Sequence, residues 1–239
     1  MKITPVILAA GRGERLGTSY PKPLAHINSQ RPVIGTILHR LMQCGFGAKD
    51  IGIVVGHNPI PIVEYAGAGF RYSAQDGLGS PAKAALDWLI AQTDVPDAML
   101  LIHADDGEWT SKRTYQRVLA DFEATSIGSI VLTDTRDPEA HKLGFTQDTY
   151  GNITSVSVDR HAVDYFIAGV FCIPTADFEA GYTALSEQNT SAEIGIAGIM
   201  RAAFDTGAPL RGIVNHGPWK SVNTLEGLLT ARAIHRNQN

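Results

Sequence analysis

Residues 6–24 read VILAAGRGERLGTSYPKPL, and the reading of this stretch decides the fold. The apolar run at residues 6–10 is short and breaks at Gly11 and Gly13, the pattern of a buried strand running into a turn. Small residues after a strand let backbone N–H groups approach a phosphate chain, because no Cβ stands in the way. Two cations follow, Arg15 and Lys22, and both reach one anion if the loop folds back over it. A glycine turn by itself also serves as an ordinary structural turn. The flanking cations and the stiff Pro21-Lys22-Pro23 make this one more specific. It is not a Walker A loop, since Lys22 is followed by Pro23 rather than Ser or Thr. Nor is it the dinucleotide fingerprint, because Leu16 stands where a third glycine would open the helix.

Working outward, further short runs rich in Val, Ile and Leu predict strands at residues 51–55, 70–74, 99–103, 129–133, 153–158, 166–173 and 210–214. Helical patterns lie between them at 32–44, 81–92, 111–123, 192–203 and 225–234. Such alternation argues for a mainly parallel sheet covered by helices on both faces, an α/β architecture. From about 126 to 174 strand-like runs follow one another without a helix, joined by turn residues such as Tyr150-Gly151-Asn152. That region reads as an antiparallel, substrate-side insertion in a single domain spanning 1–239. No repeat, low-complexity tract or linker interrupts it.

Composition sets limits. The chain has 239 residues, 44% of them hydrophobic, with 20 Lys+Arg against 24 Asp+Glu and a net charge of −4. Mean hydropathy is near zero. The apolar content excludes disorder, and the lack of a basic excess argues against a nucleic-acid scaffold. Two cysteines make neither a disulfide framework nor a cysteine-rich zinc site. The opening apolar run is too short for a signal peptide or a membrane span, so the expected compartment is the cytoplasm.

The stretch LAAGRGERLGTSYPKPL resembles the signature of nucleotidyltransferases that join a nucleoside triphosphate to a phosphorylated small molecule. The sugar-1-phosphate nucleotidylyltransferases, the small cytidylyltransferases and the MobA-like NTP transferases are of this type. The pattern L-A-A/G-G-x-G-x-R…P-K-x-L is met at every fixed position, and the short gap between Arg15 and Pro21 is closest to the small cytidylyltransferases. The resemblance implies a Rossmann-like three-layer α/β/α sandwich with a mixed, mainly parallel sheet, as in nucleotide-diphospho-sugar transferases. It implies that Leu8, Ala9, Ala10, Gly11, Arg12 and Gly13 cradle the triphosphate, and that Arg15 and Lys22 stabilise the transition state.

Downstream, Gln75 and the Gly79-Ser80 pair before a helix resemble the second nucleotide loop; Ser80 reads equally well as a helix N-cap with Pro81 after it. The strand at 99–103 ends in Asp105 and Asp106, over the crevice where α/β sheets bind ligands. Hard oxygen ligands there suit Mg²⁺, and the resemblance favours Asp105 over Asp106. Trp219-Lys220-Ser221-Val222-Asn223-Thr224 resembles the stretch that supplies the second metal ligand. Ser221 and Asn223 stand where Asp is common, and Asn223 is the expected ligand. Thr224 reads equally well as the cap of the last helix, and Trp219 as core.

Acceptor contacts are expected from Gly144, in the turn His141-Lys142-Leu143-Gly144, and from Arg160, Gly169 and Glu193. Residues Asp159-Arg160 and Ile167-Ala168-Gly169 depart from the Glu-Lys and Asn-Thr-Gly of many sugar enzymes. The implied function is therefore NMP transfer to a phosphorylated acceptor, most often a sugar 1-phosphate, with Mg²⁺ as cofactor and pyrophosphate released. A cytidylyltransferase for a non-sugar phosphate or phosphonate, and a non-catalytic nucleotide-binding regulatory protein, stay open. The expected partners are an NTP and a phosphorylated small molecule, with a homo-oligomer possible and neither nucleic acid nor membrane involved.

Overall fold

A computed structural model describes the chain apart from residues 12, 19, 29, 76–80, 106–108, 138–142, 160, 189–193 and 237–239, and the side chain of Pro81. Its strands are β1 (Ile3–Ala9), β2 (Gly52–Val55), β3 (Arg71–Ala74), β4 (Ala98–His103), β5 (Gly128–Thr133), β6 (Gly144–Gln147), β7 (Ile153–Ser157), β8 (Tyr165–Pro174) and β9 (Leu210–Val214). They form one sheet in the order β3-β2-β1-β4-β8-β5-β9, with the β6–β7 hairpin attached to β8. β1, β2, β3 and β4 are mutually parallel, as are β5 and β9. β8 runs antiparallel between β4 and β5. All the parallel strands therefore end on the same edge, and the start of β8 is brought to that edge beside them.

The helices are α1 (Val33–Gln43), α2 (Ile60–Ala66), α3 (Pro81–Ile90), α4 (Lys112–Thr125), α5 (Thr175–Gln188), α6 (Ile196–Asp205) and α7 (Leu225–Arg236). Successive β1 residues alternate between two cores. Ile7 and Ala9 join residues of α1, α4 and α7 on one face, while Val6 and Leu8 join residues of α3, α5 and α6 on the other. Because both faces are covered, the strand reads as a continuous apolar run and not as an alternation. No helix among the described residues is long and apolar enough to cross a membrane.

Every strand expected from the pattern is present, within a residue or so at its ends except that β1 begins at Ile3, three residues before the expected run at 6–10. Three elements were not expected. β6 is only four residues long. α2 begins among prolines, with Pro59 as its N-cap and Pro61 in its first turn, where fixed φ suits a helix start but hides it from a periodicity count. α5 carries a thin apolar stripe and a central Gly181, at which a Cβ would lie 2.7 Å from the Ile199 carbonyl oxygen; the glycine lets α5 sit close on α6. One boundary is corrected: the helix expected at 192–203 begins at Ile196, with Gly195 extended (φ −86°, ψ 155°) as its N-cap.

Candidate active site

β1 delivers the chain to the carboxyl edge of the sheet, and the described residues of the following loop bring Lys22 back to that edge. Gly13 and Gly17 both take φ +66°, flanking a single 3-10 turn, Glu14–Leu16, that is pinned by the buried Leu16. A Cβ on Gly13 would lie 3.4 Å from that of Lys22, so the glycine turn closes directly onto the lysine. A second 3-10 turn, Lys22–Leu24, rests on Pro21 and Pro23 and holds Lys22 over the end of β4.

There the Lys22 ammonium donates to Asp105 Oδ2 and to Asn223 Oδ1, each at 2.7 Å. The two residues expected as metal ligands and the lysine expected to bind phosphate are thus brought to one point. Asp105 follows β4, whose register sets His103 opposite Leu8 of β1. Asn223 comes from the segment before α7. That segment is fastened to the exit of β4 by a bond from Val222 N–H to the Asp105 carbonyl, 3.1 Å, and by the Trp109 indole N–H to the Lys220 carbonyl, 2.7 Å. Trp219 is buried in the core, and Thr224 caps α7 by accepting from Gly227 N–H at 3.0 Å. A cleft of about 160 Å³ opens here, with residues 8–11 on one side, residues 103–105 on the other, and Lys22 and Pro23 above.

The electrostatics follow from this packing. Burial works to raise the Asp105 carboxyl, but the Lys22 ammonium and His103 outweigh it and hold the group below its ordinary value. His103, 5.5 Å from the Phe171 ring, is lowered chiefly by burial, with Lys22 acting in the same direction and Asp105 against it. It therefore stands neutral beside the ion pair near pH 7. Asp105 and Asn223 offer two hard oxygens converging on one cation. Mg²⁺ takes such a set, one or two carboxylates completed by phosphate oxygens and water, so the residues present fit the ion.

Other expected residues lie elsewhere or have other partners. Arg15 is exposed on the first 3-10 turn and does not line the cleft. Gln75 continues β3, its N–H bonded to the Val55 carbonyl, two strands away from β1. Gly144 is buried at the start of β6, and Val163 fills the space on its side-chain side. Gly169 takes φ +72° in an irregular stretch of β8 opposite Val131, where the register with β5 shifts. With Val170 opposite Ile102, this kink comes beside the end of β4, and bulges often re-aim a strand next to a site. Arg12, Gly79, Ser80, Asp106, Arg160 and Glu193 lie outside the described residues, as do His141 and Lys142.

Two residues were missed. His103 ends an apolar strand and reads as core. Asp137 follows β5 with no motif around it, yet its buried carboxylate accepts from Lys220 at 3.0 Å and from the Ser221 hydroxyl at 3.2 Å. Ser221, at a position expected to carry Asp, thus meets a carboxylate supplied by another loop.

The family model of the MobA-like NTP transferase domain matches residues 5–172. The chain belongs to that family. Among curated proteins, this MobA-like chain is 25% identical to the bifunctional protein GlmU of Pseudomonas entomophila over 91% of its own length and 48% of that protein. It is 24% identical to GlmU of Ralstonia pickettii over 97% and 51%. It spans about half the length of these relatives. Among solved structures, a UDP-glucose pyrophosphorylase complexed with UDP-glucose superposes with a TM-score of 0.75 at 17% identity, all of both chains being covered. The inositol-1-phosphate CTP transferase from T. maritima superposes at 0.71 and 16% identity, over 97% of this chain and 96% of that one. These likenesses establish the Rossmann-like fold of nucleotide-diphospho-sugar transferases for the MobA-like domain.

Proposed function

We propose that this chain is a Mg²⁺-dependent nucleotidyltransferase that moves an NMP group from a nucleoside triphosphate to a phosphorylated small molecule, releasing pyrophosphate. One observation carries the reading: the convergence of Lys22, Asp105 and Asn223 beside a glycine turn at the carboxyl edge of the sheet. In the reaction an acceptor phosphate oxygen forms a bond to the α-phosphorus, and the bond from that phosphorus to the bridging oxygen breaks. Pyrophosphate leaves with the electron pair. No protein nucleophile is needed; in-line positioning and charge neutralisation suffice.

The main-chain N–H groups of Gly11 and Gly13 bind phosphate oxygens where no side chain blocks approach. Lys22 places a fixed positive charge where negative charge develops, in a half-buried cleft that strengthens it relative to water. Asp105 and Asn223 would hold a Mg²⁺ ion, which neutralises phosphate oxygens when bound. Arg15, exposed on the glycine-flanked turn, would reach the phosphates through its long side chain.

The leading acceptor is a sugar 1-phosphate. A second reading, a non-sugar phosphate or phosphonate with CTP as donor, is favoured by Asp159-Arg160 and Ile167-Ala168-Gly169, which depart from the Glu-Lys and Asn-Thr-Gly of many sugar enzymes. The test is pyrophosphate release with Mg²⁺, each nucleoside triphosphate, and panels of sugar phosphates, phosphocholine-like alcohols and phosphonates. Release that requires one nucleotide and one acceptor establishes the transferase and chooses between the readings. Tight nucleotide binding without release across all panels would leave a non-catalytic binder.

A further inference from the structure

Two adjoining depressions lie on the helical face formed by α1, α4 and α7. One, about 610 Å³, has Arg113 and Arg117 of α4 at its rim. The other, about 880 Å³, has Arg31, Lys112, Arg232 and Arg236. They share Ile27, Asn28, Arg40 and His235. Together they gather seven of the 20 Lys and Arg residues of a chain whose net charge is negative, and among the described residues no Asp or Glu lines either one.

Two of these cations, Arg117 and Arg232, are also held in place by main-chain carbonyls. Arg117 donates to the Val214 carbonyl at 3.2 Å and Arg232 to the His26 carbonyl at 2.8 Å, so main-chain dipoles fix these guanidinium groups. Lys112 and Arg113 occupy the first turn of α4, which has no acidic residue; the helix dipole disfavours cations there and adds to the same positive field. The floor is polar and tied together: the Thr114 hydroxyl donates to Asn215 Oδ1 at 2.8 Å, and Ser111 accepts from Thr114 N–H. Among the described residues, none of the exposed large apolar side chains lies in either depression, and the aromatic that lines the first, Trp109, is half-buried with its indole N–H bonded to the Lys220 carbonyl.

We infer that this groove is a second anion site, separate from the Lys22 cleft, that takes a ligand carrying a di- or triphosphate chain. Clustered positive charge without counter-charge is unfavourable unless an anion completes it, and arginine presents the fork that phosphate oxygens match. The extent of the groove and the number of cations call for a multiply charged ligand. Free pyrophosphate and a nucleotide are the two sources of that chemistry.

Equilibrium dialysis of the full chain against labelled inorganic pyrophosphate tests the inference, with Lys22→Ala removing the contribution of the first cleft. The Lys22→Ala chain should retain one equivalent of pyrophosphate, and affinity should fall as salt rises. Adding Arg113→Ser and Arg117→Ser should weaken binding at least tenfold, as should the independent pair Arg113→Ser and Arg236→Ser; all these side chains are exposed, and unchanged melting temperatures would show the fold intact. Nucleoside triphosphates displacing the label more strongly than unlabelled pyrophosphate would assign the chain to a nucleotide, and equal displacement to free diphosphate. No binding by the Lys22→Ala chain, binding indifferent to both arginine pairs, or capture of a DNA oligomer or acidic peptide in place of pyrophosphate would overturn it.

Discussion

Asn223 accepts a 2.7 Å hydrogen bond from the Lys22 ammonium across 201 positions of sequence. The same ammonium pairs with Asp105, 83 positions away. One cation therefore joins the loop after β1, the exit of β4 and the lead into α7, and the geometry of the site depends on elements drawn from most of the chain.

Lys22→Ala and Asp105→Ala should each lower pyrophosphate release by about 100-fold or more, the scale expected when a preorganised charge is removed from the transition state. Far-UV circular dichroism should remain that of the parent chain. Wild-type-like turnover in either variant would remove these residues from the chemistry.

At position 223 a neutral amide stands where a carboxylate would bind a divalent cation more strongly. Asn223→Asp should lower the Mg²⁺ concentration needed for half-maximal activity by about tenfold, since ligand charge tunes affinity at such sites. Asn223→Ala should raise it. A Mg²⁺ titration giving the same midpoint for all three chains would take residue 223 off the metal.

Gly144→Ala forces a methyl into space held by Val163. Overpacking of this kind costs about 1–3 kcal/mol, readable in urea unfolding. Combining it with Val163→Ala should recover part of the loss, because the two residues share one volume. Unchanged stability together with a raised acceptor KM would place Gly144 at the acceptor.

Burial pushes the Cys172 thiol from its ordinary 9.0 up to about 12, with Asp121 adding to the shift. The thiol is therefore easier to ionise in the unfolded chain. Its contribution to stability is complete below about pH 9 and is lost as pH rises toward the folded value. Unfolding free energies measured from neutral to alkaline pH should fall across that window. In the native protein at about pH 8 a disulfide reagent should leave Cys172 untouched, since only a thiolate reacts; modification of both cysteines before unfolding would contradict the burial.

Much of this arrangement is legible in the sequence. The strand and turn at residues 6–24, the acidic end of β4 and the segment before α7 are each marked locally, by glycine, proline or an apolar run ending in polar residues. What is not legible comes from contacts across the sheet. Val163 claims the space at Gly144 only because β6 pairs with β8, and Asp137 reaches Ser221 only because β5 ends beside the α7 segment. Likewise α5 is hidden because its helix is held by close approach to α6 at Gly181, with little of the periodic apolar pattern that announces α1.

The pairing of β5 with β9 carries a consequence for any shortened form of the protein. The family match stops at residue 172, before β9 and the Asn223 segment. Cutting there would take away one partner of Lys22 and strip one flank of β5, a strand buried along its whole length. Its unpaired N–H and C=O groups, on an apolar strand, would then be a template for the same strand in another molecule. Such a fragment should aggregate in proportion to its concentration, so the elements after residue 172 keep the protein from associating with itself as well as completing its site.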